Sequence, residues 1–195
     1  MALMGAFGRA MRALSLRLVL CAGAGAAIGM PGEASAQSFA REYQLKAVFL
    51  FNFTQFVEWP DGAFLTPKAP LVIGILGDDP FGGSLDETVR GEAVGEHPLE
   101  VRRYRNVEDI AGCQILFIGG LGKDHLDHVL DRLRGRPILT VGDTDRFAGR
   151  GGMIRFVTDR NKIRLRINLE AATAANLKIS SKLLRPAEIV ATGKE

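Results

Sequence analysis

The sequence predicts one α/β domain, an α/β/α sandwich on a mixed sheet of about six strands with a C-terminal antiparallel hairpin and about five helices. Three observations predict it. Short apolar runs alternate with amphipathic stretches from Leu71 to Val141, the pattern of helices layered on a largely parallel sheet. Two further runs, Met153–Val157 and Lys162–Asn168, are separated only by a short polar link, a hairpin spacing. Of 195 residues, 47% are hydrophobic and 24% charged, enough for a real core and too apolar for a disordered chain. No repeat of solenoid or propeller length is present.

Residues 1–36 read as an export signal. Arg9, Arg12 and Arg17 precede the apolar run Leu18–Gly29, and Ala34-Ser35-Ala36 supplies the small residues of a cleavage site after Ala36. The run falls short of the ~20 residues of a spanning helix. The expected product is a soluble periplasmic domain, residues 37–195. Its charge is close to balanced. The whole chain has 25 Lys and Arg against 22 Asp and Glu, and removing residues 1–36 takes away three basic groups and one acidic group. That balance argues against a nucleic-acid partner, whose phosphates need a concentrated basic surface.

The elements follow in order. Phe39–Trp59 lacks Gly and Pro until Pro60 stops it, and reads as a helix with two apolar faces. Tyr43, Ala47, Leu50, Thr54 and Val57 lie on one; Leu45, Phe49, Phe53 and Phe56 lie on the other. A helix apolar on two faces must be covered twice, either by the sheet and later helices or by the sheet and another protein subunit. Leu71–Leu76 is a strand that opens into the loop Gly77–Gly83, and residues 80–90 read as a helix. Leu99–Tyr104 and Gln114–Ile118 are strands. Leu126, Val129, Leu130 and Leu133 have the spacing of an amphipathic helix. Pro137–Val141 is the fourth strand, and the hairpin supplies two more. Asn168 caps a last helix, expected to run to about Leu184 with Ala172, Ala175, Ile179 and Leu183 inward, before Pro186.

Few residues suggest chemistry. Asp78 and Asp79 in the Gly77–Gly83 loop would repel a phosphate, and suit turn or capping hydrogen bonds. His125 and His128, among Asp124, Asp127 and Asp131, read as a solvated helix face rather than a zinc site. His97 stands apart from them. No nucleophile motif, zinc-protease motif or P-loop occurs, so no catalytic, cofactor or metal residue is expected and the chain does not read as an enzyme. Cys113 lacks a partner once residues 1–36 are removed, and reads as a buried filler.

The hairpin is more informative. In either of its two-residue closures, Arg155 lies opposite Arg164 or Arg166, while Ile154 and Phe156 keep the same face. Like charges directly opposite cost stability, and an intramolecular carboxylate, a bound anion or an acidic partner would offset this. Glu170 is the internal candidate. Gly151-Gly152 before the hairpin suits a bulge or a close backbone approach, and the nearby arginines suit a carboxylate-bearing ligand.

Four stretches carry a resemblance: Tyr43–Pro60 (YQLKAVFLFNFTQFVEWP), Leu76–Gly82 (LGDDPFG), Ile138–Ile154 (ILTVGDTDRFAGRGGMI) and Lys162–Leu184 (KIRLRINLEAATAANLKISSKLL). Together they closely resemble the YfiR family of periplasmic regulators. The resemblance implies a dimer-forming protein that holds a membrane-bound diguanylate cyclase inactive by binding its periplasmic sensor domain. It also implies release by an OmpA-like outer-membrane lipoprotein, and so control of cyclic-di-GMP. Well-known members use disulfides; this chain departs from them at its single remaining cysteine. Independently of the resemblance, residue patterning nominates Phe49, Phe53, Phe56 and Trp59 as apolar partner contacts, and Arg155, Arg164 and Arg166 as charged ones. The alternative function is a periplasmic sensor for a carboxylate-bearing or aromatic metabolite.

Overall fold

Alternation along the central strands divides the core in two. The computed structural model describes residues 31–160 and 162–195, so the export-signal expectation lies outside the described residues up to residue 30. In β2 (Leu71–Gly77), Leu71, Ile73 and Ile75 join one apolar cluster, while Val72 and Leu76 join another on the opposite face. Ile115 and Phe117 against Leu116 and Ile118 do the same in β5 (Ile115–Gly119). A strand buried on both faces belongs to the middle layer of a sandwich.

One layer is α1 (Pro31–Phe56) with α2 (Ser84–Val89), whose Ala47, Leu50, Phe53, Leu85 and Val89 are buried against the sheet. The opposite layer is α3 (Lys123–Leu133). It buries Leu126, Val129, Leu130 and Leu133, the four residues whose spacing predicts it. Removing each such side chain from water contributes roughly 1.5–3 kcal/mol.

Five strands run parallel in the order β4 (His97–Tyr104), β2, β5, β6 (Leu139–Gly142) and β7 (Ile154–Asp159). β8 (Lys162–Asn168) returns antiparallel to β7, and β10 (Glu188–Val190) lies parallel to β8 at that edge. β3 (Ala93–Val94) pairs antiparallel with β4 at the other edge. All six expected strands are present. The additions are β3, β10 and a separate ribbon in which β1 (Val57–Glu58) pairs with β9 (Lys178–Ile179). These four have two or three residues each, too short for a periodicity to register.

The last expected helix is corrected. It divides into α4 (Leu169–Ala174) and α5 (Ser181–Leu184). Asn176 sits in the left-handed region at φ 56°, and the Leu177 N–H turns back to the Ala172 carbonyl at 3.0 Å. The chain then pairs with β1 before Ser180 caps α5. The expected inward residues Ala172, Ala175 and Leu183 are buried, and Ile179 is half-buried in β9. Asn168 caps α4 as expected, its Oδ1 accepting the Ala171 N–H at 3.0 Å.

Candidate functional site

Of the nominated aromatic residues, Phe53 is corrected. It has no exposed surface and lies stacked on Phe156 of β7, ring centroids 5.9 Å apart. The reason is helical geometry: Phe53 follows Leu50 by three, so the two share the face turned to the sheet. Phe49 is half-buried against the same pair, 6.3 Å from Phe53 and 5.9 Å from Phe156. Phe56 and Trp59 are half-buried at the core edge, where Trp59 Nε1 donates to the Gln114 carbonyl at 3.1 Å.

The face that α1 turns to solvent carries Arg41, Gln44, Leu45, Val48 and Gln55, with Asn52 half-exposed. Leu45 is 45% exposed and Val48 42%, and Phe39, 54% exposed, stands nearer the start of the same helix. The sequence reading missed Val48. Its spacing from Leu45, by three residues, is the signal that would have found it.

The arginines also separate. The hairpin closes so that Asp159 faces Lys162, which places Arg155 directly across from Arg166. Arg160, at φ 48°, lies in the turn. Arg164 is exposed and 3.3 Å from Asp159. Arg155 is buried and ion-paired with both Asp145 and Glu195. Arg166 reaches Glu188 at 2.9 Å and Glu195 at 3.4 Å. The expected internal carboxylate therefore exists, but Glu195 and Asp145 supply it. Glu170 is exposed and lines a different pocket. Burial alone would raise the Glu195 carboxyl pKa. Arg155, the Gly149 amide and Arg166 outweigh it and hold the group below the usual carboxylate range. Its contribution to stability is complete above that range and is lost as pH falls through the lowered value. Asp145 pairs with Arg155 and Glu188 with Arg166 beside it.

Two of the concavities among the described residues bear on ligand binding. The first lies at the C-terminal ends of β2 and β5, where the chain order reverses and helices leave to opposite faces, the usual ligand position in open α/β sheets. It measures about 540 Å³, and Asp78, Asp79, Asp143, Tyr43 and Gly120 are among its lining residues. Gly120 is required there: at φ 64°, a Cβ would meet Asp78 Oδ2 at 2.0 Å. Two of the carboxylates, Asp79 and Asp143, already have partners. Asp79 accepts the Phe81 N–H at 2.9 Å and pairs with Arg103 at 2.8 Å. Asp143 accepts from the Tyr43 hydroxyl at 2.7 Å and from the buried Lys46 at 2.6 Å, and Lys46 also pairs with Glu42. Burial and then Asp143 push the Tyr43 phenol pKa up. An acidic wall of this kind repels a carboxylate ligand.

The second concavity, about 240 Å³, lies between α3, α4 and the start of the hairpin, with Arg150, Gly151, Met153 and Thr140 in its wall. This is the position that Gly151-Gly152 suggested. Arg150 Nε is buried there with no hydrogen-bond partner among the described residues.

The other candidates are structural. His125 and His128 are exposed on α3, and the described residues contain no cluster of three or more His, Cys, Asp and Glu able to hold a metal ion. His97 stacks on Phe64 at 3.9 Å and bonds the Ala69 carbonyl at 2.7 Å. Cys113 is buried with its thiol donating to the Ile115 carbonyl at 3.0 Å, and burial pushes its pKa up to about 12. We expect a disulfide-exchange reagent at pH 8 to leave Cys113 unlabelled for hours in the folded protein and to label it fully in denaturant, as read by absorbance. Rapid labelling of the native protein would contradict that burial.

Residues 43–188, from α1 to β10, match the description YfiR/HmsC-like. The chain belongs to the YfiR/HmsC-like family. The match spans three-quarters of the chain and includes the aromatic part of α1, both concavities' central strands and the arginine hairpin. The YfiR/HmsC-like family is periplasmic and regulatory, associated with cyclic-di-GMP signalling. No curated protein matches the chain. No described helix is long and apolar enough to cross a membrane.

Proposed function

We propose that the protein is a periplasmic repressor, which binds the sensor domain of a membrane-bound diguanylate cyclase and holds the enzyme inactive. Membership of the YfiR/HmsC-like family carries this reading. Residues 1–36 are its export signal, cleaved after Ala36. The protein works as a homodimer, and an OmpA-like outer-membrane lipoprotein withdraws it from the cyclase. It catalyses no reaction itself.

A repressor shifts its target only by binding one conformation more tightly than the other. Apolar anchors in the centre of an interface, rimmed by charge, supply most such binding energy. On this chain Leu45 and Val48 are the exposed anchors, with half-buried Phe49 and Phe56 on the same helix; Trp59 at the core edge and exposed Arg164 on the hairpin are further contacts. Phe53 and Arg155 act from beneath, by fixing α1 and the hairpin.

The test is cyclic-di-GMP in the native host. Deleting the gene raises the nucleotide several-fold, and restoring the parent chain returns it to its starting level. Leu45→Glu with Val48→Glu, both exposed, folds normally by circular dichroism and does not restore it. An unchanged nucleotide level after deletion overturns the reading.

A second reading, a sensor for a carboxylate-bearing metabolite, is favoured by the 240 Å³ pocket and the partnerless Nε of Arg150. A ligand there raises the melting temperature in proportion to RT ln(1 + [L]/Kd). No such rise across a panel of small carboxylic acids removes it.

A further inference from the structure

Arg155 and Arg166 face each other directly on adjacent strands, an arrangement that repels unless an anion lies between them. The carboxylate that both arginines share is Glu195, while Asp145 also pairs with Arg155 and Glu188 with Arg166. Glu195 Oε1 accepts from Arg155 Nη1 at 2.6 Å and from Arg166 Nη1 at 3.4 Å. Its Oε2 accepts the Gly149 backbone N–H at 2.8 Å. Donors from three parts of the chain converge on one carboxylate whose side chain is 1% exposed. Arg155 is itself only 9% exposed, and its Nε has no partner among the described residues, so the guanidinium retains unused donor capacity. Two guanidinium groups and a backbone amide form a carboxylate receptor in charge and in hydrogen bonding.

The group that fills this receptor is held differently from the receptor. Gly149 and Arg155 are buried, and the arginines project from paired strands. Glu195 arrives on a strap, Ala191–Glu195, whose Thr192, Gly193 and Lys194 are exposed. Two contacts tie the strap down before Glu195: the Gly193 N–H to the Gly149 carbonyl at 2.7 Å, and Asn168 Nδ2 to Thr192 Oγ1 at 2.9 Å. Segments with so few buried contacts open at low free energy while the sheet beneath stays folded. The strap also lies beyond residues 43–188, whereas the whole receptor lies within them.

We propose that Arg155, Arg166 and the Gly149 amide form a carboxylate-binding site, that Glu195 occupies it as a tethered competitor, and that a carboxylate from outside the chain takes the site when the strap lifts. The inference concerns this slot alone and goes beyond the repressor reading; it stands whether or not a cyclase is the partner. The ligand is a single unbranched carboxylate, either a small free acid or an acidic side chain of another protein. A tethered competitor weakens an external ligand by the fraction of time that the site is closed. Removing the competitor unmasks the site.

Chemical rescue tests this, because propionate is the whole glutamate side chain, both methylenes and the carboxylate, closed with one hydrogen. In the full chain, Glu195→Ala leaves both arginines without their shared carboxylate and lowers the melting temperature. Sodium propionate restores it in a dose-dependent manner, beyond sodium chloride at equal ionic strength. The parent protein shows less than a third of that rise, and Glu195→Ala with Arg166→Ala shows none. Glu195→Gln, which preserves shape without charge, serves as the folding control if the alanine variant is too unstable, and propionate rescues it in the same order. A tenfold preference for a Gly-Glu-Gly peptide acetylated and amidated at its ends over propionate assigns the ligand to a protein side chain, and equal binding assigns it to a free acid. Propionate acting no better than chloride on both Glu195 variants, or raising Glu195→Ala no more than it raises the parent or the double variant, overturns the proposal.

Discussion

Replacing Phe53 by alanine lowers the unfolding free energy by about 3–5 kcal/mol, the cost of emptying a closed aromatic site. Phe53 has no exposed surface, stacks on Phe156 with ring planes 17° apart, and lies in the cluster that joins α1 to β2, β5 and β7. No neighbouring chain end or loop can collapse into the space, since Leu50, Phe156 and Leu165 around it are themselves buried. Typical domains are stable by only about 5–15 kcal/mol, so the variant melts far below the parent. Urea denaturation reads the loss as a lower midpoint with the same slope. Leu45→Ala on the outward face changes stability by less than about 0.5 kcal/mol. A Phe53→Ala cost no greater than that of Leu45→Ala would contradict the packing of α1.

Asp143→Ala has the second largest effect, about 3 kcal/mol, the lower end for breaking a buried ion pair from one side. Lys46 is 2% exposed and sits 2.6 Å from Asp143 and 2.7 Å from Glu42. Without Asp143 the ammonium keeps one carboxylate, and the Tyr43 hydroxyl loses its acceptor. Adding Lys46→Met to Asp143→Ala recovers most of the loss, because the under-compensated charge has gone. Denaturation midpoints of the two single variants and the double variant read this coupling directly. Additive losses would contradict a shared network.

How much of this was legible in the sequence depends on the reach of each signal. Leu126, Val129, Leu130 and Leu133 predict α3 because their burial is set within one helix, and all four are buried. The alternating hairpin strands fix which face Ile154 and Phe156 take, and the Asp159–Lys162 closure then decides the register. The break after α4 was not legible, since a left-handed Asn176 and the pairing of β9 with β1 depend on a segment more than a hundred residues away. Glu195 as the partner of Arg155 was missed for the same reason: the pair is 40 residues apart in sequence, joined only by folding. Phe53 could have been placed correctly. Its spacing from Leu50 marks the sheet-facing side, and grouping the phenylalanines as one face hides the outward stripe at Leu45 and Val48.

The most direct measurement of whether this chain acts by gripping another polypeptide is a calorimetric titration. The parent protein is titrated into the purified periplasmic domain of a diguanylate cyclase from the same cell, beside the Leu45→Glu, Val48→Glu variant. The account predicts saturable binding by the parent and at least tenfold weaker binding by the folded variant, a difference of about 1.4 kcal/mol. No heat of binding from the parent, or equal affinities for the two, would contradict it.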